Sequence, residues 1–490
     1  MGRLGFLGSS SIRLLRTLIA TFIVAGLAWA HEPIRYQLSF PAAQNHRIHV
    51  EATYPTEGKE HITLKMAVWT AYVVRDYANL VSDLQSPLPA SMVSKNRWKI
   101  PTDGSPTVTI RYEVEANSMH VQDNYVNSHF ALINGQPTFL TLADDLIRPH
   151  EVKIQLPSSW KQSITAMKQM GENHYIANDY EELVDSPIVA GNPAIYTFEA
   201  EGKNHYLVNL PGSDKWDVQQ STRDLSRIIT AQKKIWGRLP IHEYRFLNIL
   251  SNKSGGMEHM ESTVMMTSPN ATRRRETYIR WLSLASHEYF HLWNVKRLRP
   301  REITPGEYEV EHYTPSLGIA EGFTSYYALL TMRRAEVIND REFFEELSRL
   351  SESLQSTEGR KVQTLADSSL EAWTKFYRPT QDSHRTTVNY YNKGALVAFL
   401  LDARIRKISG GTRSLDHVMR EVWEKYPREK GYTFEEFQEI AGVDLKPWFY
   451  TTEELDYQEA EALYGLQISS SGRMKLLPET EARRSWLSGK

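Results

Sequence analysis

The chain has 490 residues, 41% of them hydrophobic, with 25 Tyr, 12 Trp, no Cys and a formal net charge of −2. This length and apolar content exclude a disordered chain and predict two or three domains. The near-neutral balance gives no reason to expect nucleic acid or an anionic membrane as a partner, and without Cys the fold is built without disulfides or a lipid-modified N-terminal Cys.

Arg3, Arg13 and Arg16 precede the uncharged run 18–30, which ends Ala28-Trp29-Ala30, a small-x-small cleavage site. A membrane span needs about 20 apolar residues. Residues 1–30 therefore read as a secretory signal peptide cleaved after Ala30, with an uncleaved anchor as the alternative. Cleavage removes three Arg and no acid, taking the charge to −5. A periplasmic or secreted protein, with no stable membrane association after cleavage, is the expectation.

The fold class expected is α+β and multidomain. From 31 to 211 the sequence alternates like strands, as in Tyr36-Leu38-Phe40, Ile48-Val50-Ala52, Ile62-Leu64-Met66 and Val108-Ile110-Tyr112-Val114, which predicts a β-rich N-terminal domain. At 212 the period changes. Residues 218–236 carry Leu225, Ile228, Ile229 and Ile235 at helical spacing before Gly237, and 244–250 read as a strand. A catalytic domain over 212–332 is followed by a helical domain over 333–465, with Thr433 to Glu436 as a capping box. Residues 466–490 read as a polar C-terminal tail that could be poorly ordered. The run Arg273-Arg274-Arg275 reads as a solvated loop.

The chemistry concentrates in His287-Glu288-Tyr289-Phe290-His291, inside a Pro- and Gly-free stretch, 279–298, that predicts a buried helix. On a helix, positions i and i+4 share a face, so His287 and His291 can point at one metal ion. Glu288 then takes the general-base position of a zinc hydrolase. Thirty residues after His291, Glu321 opens another apolar helical run and supplies a third ligand, with Glu309 or Glu311 as the rival. Two His and one Glu with a fourth position open is a catalytic zinc arrangement, one ion per chain. Upstream, Gly255-Gly256-Met257-Glu258-His259 offers two glycines that let a substrate backbone approach closely and a carboxylate that could hold a free amino group; a β-bulge or tight turn explains the same residues equally well. Asn294 and Lys296 read as polar support for the helix or as solvent-exposed, with no catalytic role.

These segments, together with 287–300, Glu321-Gly322-Phe323-Thr324-Ser325-Tyr326-Tyr327, Leu365-Ala366-Asp367-Ser368-Ser369-Leu370 and Tyr391-Asn392-Lys393-Gly394-Ala395, resemble the glycyl aminopeptidase family of zinc metallopeptidases, in the family's order and over roughly 31–465. That family is related in its catalytic half to the aminopeptidase N family and has a thermolysin-like catalytic domain. The resemblance implies that His287, His291 and Glu321 bind zinc and that Glu288 activates water. It implies that Glu258, with Gly255, Gly256 and Met257, receives the substrate's amino end. Tyr391, with Tyr390 as its nearest confusion, would donate its hydroxyl to the developing oxyanion. Peptides with small N-terminal residues, Gly or Ala, are the implied substrates.

Three departures stand out. The family often shows Trp-Thr-Pro-Gly-Ser-Tyr where this chain has Trp69-Thr70-Ala71-Tyr72, and a Trp where this chain has Gly318. The 25 residues after Gly465 are too few for the C-terminal PDZ domain common in the family. A zinc-containing peptide-binding protein with little turnover, or an endopeptidase or dipeptidase of the same fold, would share the ligands. Glu288 favours the hydrolase, since a binding protein has no use for it.

Overall fold

The computed structural model describes residues 31–489; the expected signal peptide, 1–30, lies outside the described residues. Among the described residues, no helix is long and apolar enough to cross a membrane. The N-terminal part is built on a seven-stranded sheet whose central strands are His150–Gln155, Ile34–Ser39, Arg47–Pro55 and Thr107–Glu115. Alternation decides which face is buried: Ile48, Val50, Ala52 and Tyr54 point inward, and Ile48 pairs with Val114, Val50 with Tyr112 and Ala52 with Ile110. Tyr36, Tyr54 and Tyr112 are buried in this core and donate their hydroxyls to the carbonyls of Leu140, Leu140 and Thr138 at 2.7, 2.9 and 3.0 Å. Each thereby removes an otherwise unpaid polar burial. Two four-stranded sheets and a two-stranded hairpin at 69–74 complete this part.

A five-stranded sheet follows, in the order Ala194–Ala200, Lys203–Leu210, Glu243–Leu250, Ser262–Thr267, Gly255–Glu258. The amphipathic helix Val218–Trp236 makes the crossover between the parallel strands Lys203–Leu210 and Glu243–Leu250. It ends at Gly237 with φ 85°, as expected. The strands 194–210 thus hydrogen-bond to the sheet that follows them. One apolar core, joined by Val68, Trp69 and Tyr72 of the N-terminal part, also runs from Ala200 through the ligand-bearing helices to Leu487. We propose on these grounds that the N-terminal unit ends near 192 and that the catalytic and helical parts share one core.

The stretch after Gly465 is not a loose tail. Strands Leu466–Ile468 and Met474–Leu476 pair, and the helix Glu481–Ser488 buries Trp486 completely. The Trp486 ring stacks on Tyr464 at 4.2 Å, and its indole N–H donates to the Tyr326 hydroxyl at 2.8 Å. An aromatic of this size outweighs the polar composition around it.

Candidate active site

His287 and Glu288 lie on the helix Arg275–Phe290, and His291 is its C-cap with helical dihedrals (φ −60°, ψ −18°). The helix is shorter than the 279–298 expected. Beyond His291 the backbone turns, which carries the buried Asn294 to the segment bearing Glu321. There the Asn294 amide donates to the carbonyls of Ile319 and Ala320 at 3.0 and 3.2 Å. Asn294 is therefore neither solvent-exposed nor a prop for its own helix alone.

Glu321 sits in a π-helical turn, Gly318–Gly322, that leads into the helix Phe323–Arg334. Wide turns of this kind re-aim a single side chain. Glycine is required here for close approach: a Cβ on Gly322 would lie 2.5 Å from Gly394 Cα in the neighbouring helix Tyr390–Ile408.

The three side chains converge. His291 Nε2 is 2.9 Å from His287 Nε2 and 3.2 Å from Glu321 Oε2, and His287 Nε2 is 3.4 Å from that same oxygen. His291 Nδ1 lies 2.7 Å from the Asn294 carbonyl, which can only accept, so the ring proton is on Nδ1 and Nε2 presents a lone pair. His287 Nδ1 is likewise engaged, by the Ser325 hydroxyl at 3.3 Å. The Ser325 oxygen can accept the Nδ1 proton of His287, and with that tautomer three acceptor atoms face one point, a donor set that fits a divalent cation. Tetrahedral bonds of about 2.0–2.2 Å place neighbouring ligand atoms about 3.3 Å apart, within the span of the distances here. Together His287, His291 and Glu321 could hold a metal ion.

The local field agrees. Burial opposes charge on His291, but Glu321, then Glu258 and Glu288, outweigh it and favour positive charge at Nε2, whether a proton or a metal ion in its place. Burial alone would raise the Glu321 carboxyl; His291 and His287 bring it down to about 2. Negative charge dominates the cluster and favours a cation. Neither rival ligand comes near. Glu309 is taken by Lys65 at 2.8 Å and by Arg97 at 2.6 Å, and Glu311 is exposed.

Glu288 is buried beside this cluster. Burial, reinforced by Glu258 and Glu321, pushes its carboxyl well above the usual range against the pull of His291. One carboxylate oxygen lies 3.5 Å from the Thr263 hydroxyl, and the other packs onto the backbone of Gly256, where a Cβ would fall 2.1 Å from it. This is the physical reason for the second glycine. Gly256→Ala is expected to displace Glu288 and lower kcat by about 100-fold with an unchanged melting temperature; wild-type kcat in that variant would show that Glu288 does not need its place.

The strand Gly255–Glu258 is a sheet edge, paired on one side only, with Ser262–Thr267. Among the described residues no strand pairs with its outer side, which leaves that side able to pair with an extended chain. Glu258, at its end, acts electrostatically on His287, Glu288 and His291. Glu258 also lines a cavity with Trp69, Tyr72, Lys296, Arg299 and Tyr308. The departing segment 69–74 forms a hairpin over this cavity, with Ala71 and Tyr72 both left-handed (φ 44° and 61°).

Tyr391 is the second residue of the helix Tyr390–Ile408, its ring 6.0 Å from that of His287, whereas Tyr390 is fully buried behind it.

Three partners had no local signal. Asp185, on the N-terminal unit, accepts from Lys296 Nζ and the Met260 N–H, both at 2.7 Å, and meets His259 Nδ1 at 3.2 Å. It thus fastens the strand end bearing Glu258. Thr263 and Tyr377 come from a strand and a loop. Ser325, by contrast, is four residues after Glu321, a helical spacing that was available.

Comparison with known proteins bears on this arrangement. Residues 280–397 match the model of the M61 glycyl aminopeptidase family, and residues 35–192 that of the peptidase M61 N-terminal domain. No curated protein matches the chain. Among solved structures it is similar to the crystal structure of an aminopeptidase N family protein from Idiomarina loihiensis, with a TM-score of 0.85 and 28% identity over 89% of this chain and 79% of that one. Matched over more than half its length, the chain belongs to the M61 glycyl aminopeptidase family and is a peptidase.

Proposed function

We propose that the protein is an exported, zinc-dependent aminopeptidase that removes small N-terminal residues, Gly or Ala, from peptides. The carrying observation is the meeting of three acceptor atoms, from His287, His291 and Glu321, within 3.4 Å of one another beside a buried free acid, Glu288. The leader at 1–30 supports export.

Two imidazoles and one carboxylate are the ligand set of a hydrolytic zinc site, and zinc held there supplies Lewis acidity, acidifying a water toward a pKa of about 7 and polarising the scissile carbonyl. The remaining work belongs to the protein. Glu288 accepts the proton of the attacking water and returns it to the leaving amine. The outer edge of Gly255–Glu258 aligns the peptide backbone, and the Glu258 carboxylate pairs with the substrate's ammonium, which selects chain ends over chain interiors. The Tyr391 hydroxyl donates to the carbonyl oxygen as its charge grows, where losing one donor costs about 3 kcal/mol.

Glycyl- and alanyl-naphthylamides should be hydrolysed, with activity lost on chelation and restored by zinc; full activity in metal-stripped protein would refute the proposal. Glu258→Ala should lower kcat/KM on free N-termini by about 100-fold, ~3 kcal/mol, at unchanged zinc content. Equal cleavage of N-acetylated and free peptides by the wild type would remove that role from Glu258.

A further inference from the structure

Three tyrosine hydroxyls form a chain at the edge of the site. Tyr377 Oη lies 3.1 Å from Tyr390 Oη and 3.2 Å from Tyr391 Oη. Tyr377 follows the π-helical turn Ala372–Phe376, and the Phe376 ring packs against all three, at 5.0 Å from Tyr377, 4.6 Å from Tyr390 and 5.8 Å from Tyr391. The segment is tied to the N-terminal unit. Arg378 donates to the Val74 carbonyl at 3.1 Å, and the Trp373 ring lies 5.1 Å from Trp69. Tyr377 is therefore held from both sides.

A phenol has one proton, and where it points decides what it can do. If Tyr391 gives its proton to Tyr377, nothing is left for a substrate oxygen. Tyr390 counters this: it is fully buried, and its hydroxyl donates to the Tyr377 oxygen, which takes one of that oxygen's two lone pairs and leaves the Tyr377 proton free to be donated. Either oxygen of the Tyr377–Tyr391 pair can donate at 3.2 Å; if Tyr377 turns its own proton to the Tyr391 oxygen, the Tyr391 proton is left for a substrate oxygen. A run of hydrogen bonds in one direction also strengthens the last donor.

We propose that Tyr377 is a positioning residue that orients and strengthens the Tyr391 hydroxyl through the relay Tyr390 to Tyr377 to Tyr391. This rests on Tyr391 being the oxyanion donor. The test is kcat and KM for glycyl-naphthylamide on the zinc-loaded full chain, with zinc content and thermal unfolding measured for each variant. Tyr377→Phe keeps the ring and its packing. It should lower kcat about tenfold with KM within about twofold of wild type, and Tyr377→Phe combined with Tyr391→Phe should be no slower than Tyr391→Phe alone. Tyr390→Phe, a second probe should Tyr377→Phe fold poorly, should lower kcat in the wild type but not in the Tyr391→Phe background. Wild-type kcat in Tyr377→Phe beside a slow Tyr391→Phe would overturn the relay and leave the role of Tyr391 standing, as would additive losses. Wild-type kcat in Tyr391→Phe would overturn that role and the relay with it.

Discussion

Glu288→Gln should reduce kcat by about three orders of magnitude while zinc content and melting temperature stay at or above those of the wild type. Gln has the same shape and fits the same space over Gly256, so the loss would isolate proton transfer from packing. The stability expectation follows from burial: Glu288 is 4% exposed, and its environment pushes the carboxyl well above its ordinary range. A neutral amide relieves that strain on charge instead of adding to it. Turnover by Glu288→Gln within tenfold of wild type would sink the assignment.

Glu321→Ala should lose both metal and activity. Removing the one anionic ligand leaves two neutral imidazoles, and zinc affinity should fall by more than about 100-fold, ~2.7 kcal/mol. The protein should then unfold at the temperature of the chelated wild type, since a ligand that binds only the folded state stabilises it by mass action. Glu309→Ala makes the contrast. It should keep its zinc and yet lose about 3 kcal/mol of stability, because it strips the buried Lys65 ammonium of its counter-charge. A Glu321→Ala protein that binds zinc as the wild type does would show that the ligand lies elsewhere.

The parts legible in the sequence are those whose signal is local. The helix Val218–Trp236 with its Gly237 stop, the strand Glu243–Leu250 and the box at Thr433–Glu436 follow from periodicity and capping chemistry within one segment. So does the pairing of His287 with His291. The end of their helix was missed because the turn after Phe290 exists to bring Asn294 to the carbonyls of Ile319 and Ala320, a contact between distant segments. Asp185 and Tyr377 were silent for the same reason, as their partners lie 111 and 14 positions away. The packing of 466–489 was overlooked because a few buried side chains, Trp486 foremost with Leu466 and Leu487, determine it, and an average over polar neighbours hides such an anchor.

That anchor has a consequence for how the molecule matures. Tyr326, one turn past Glu321, is fastened by Trp486 from 160 positions downstream and passes the bond on to Asp402 at 2.8 Å. A ribosome therefore delivers all three acceptor side chains well before the indole that clamps their scaffold. Proteolytic competence that needs this clamp cannot precede the synthesis of residue 486, so chain order itself delays it.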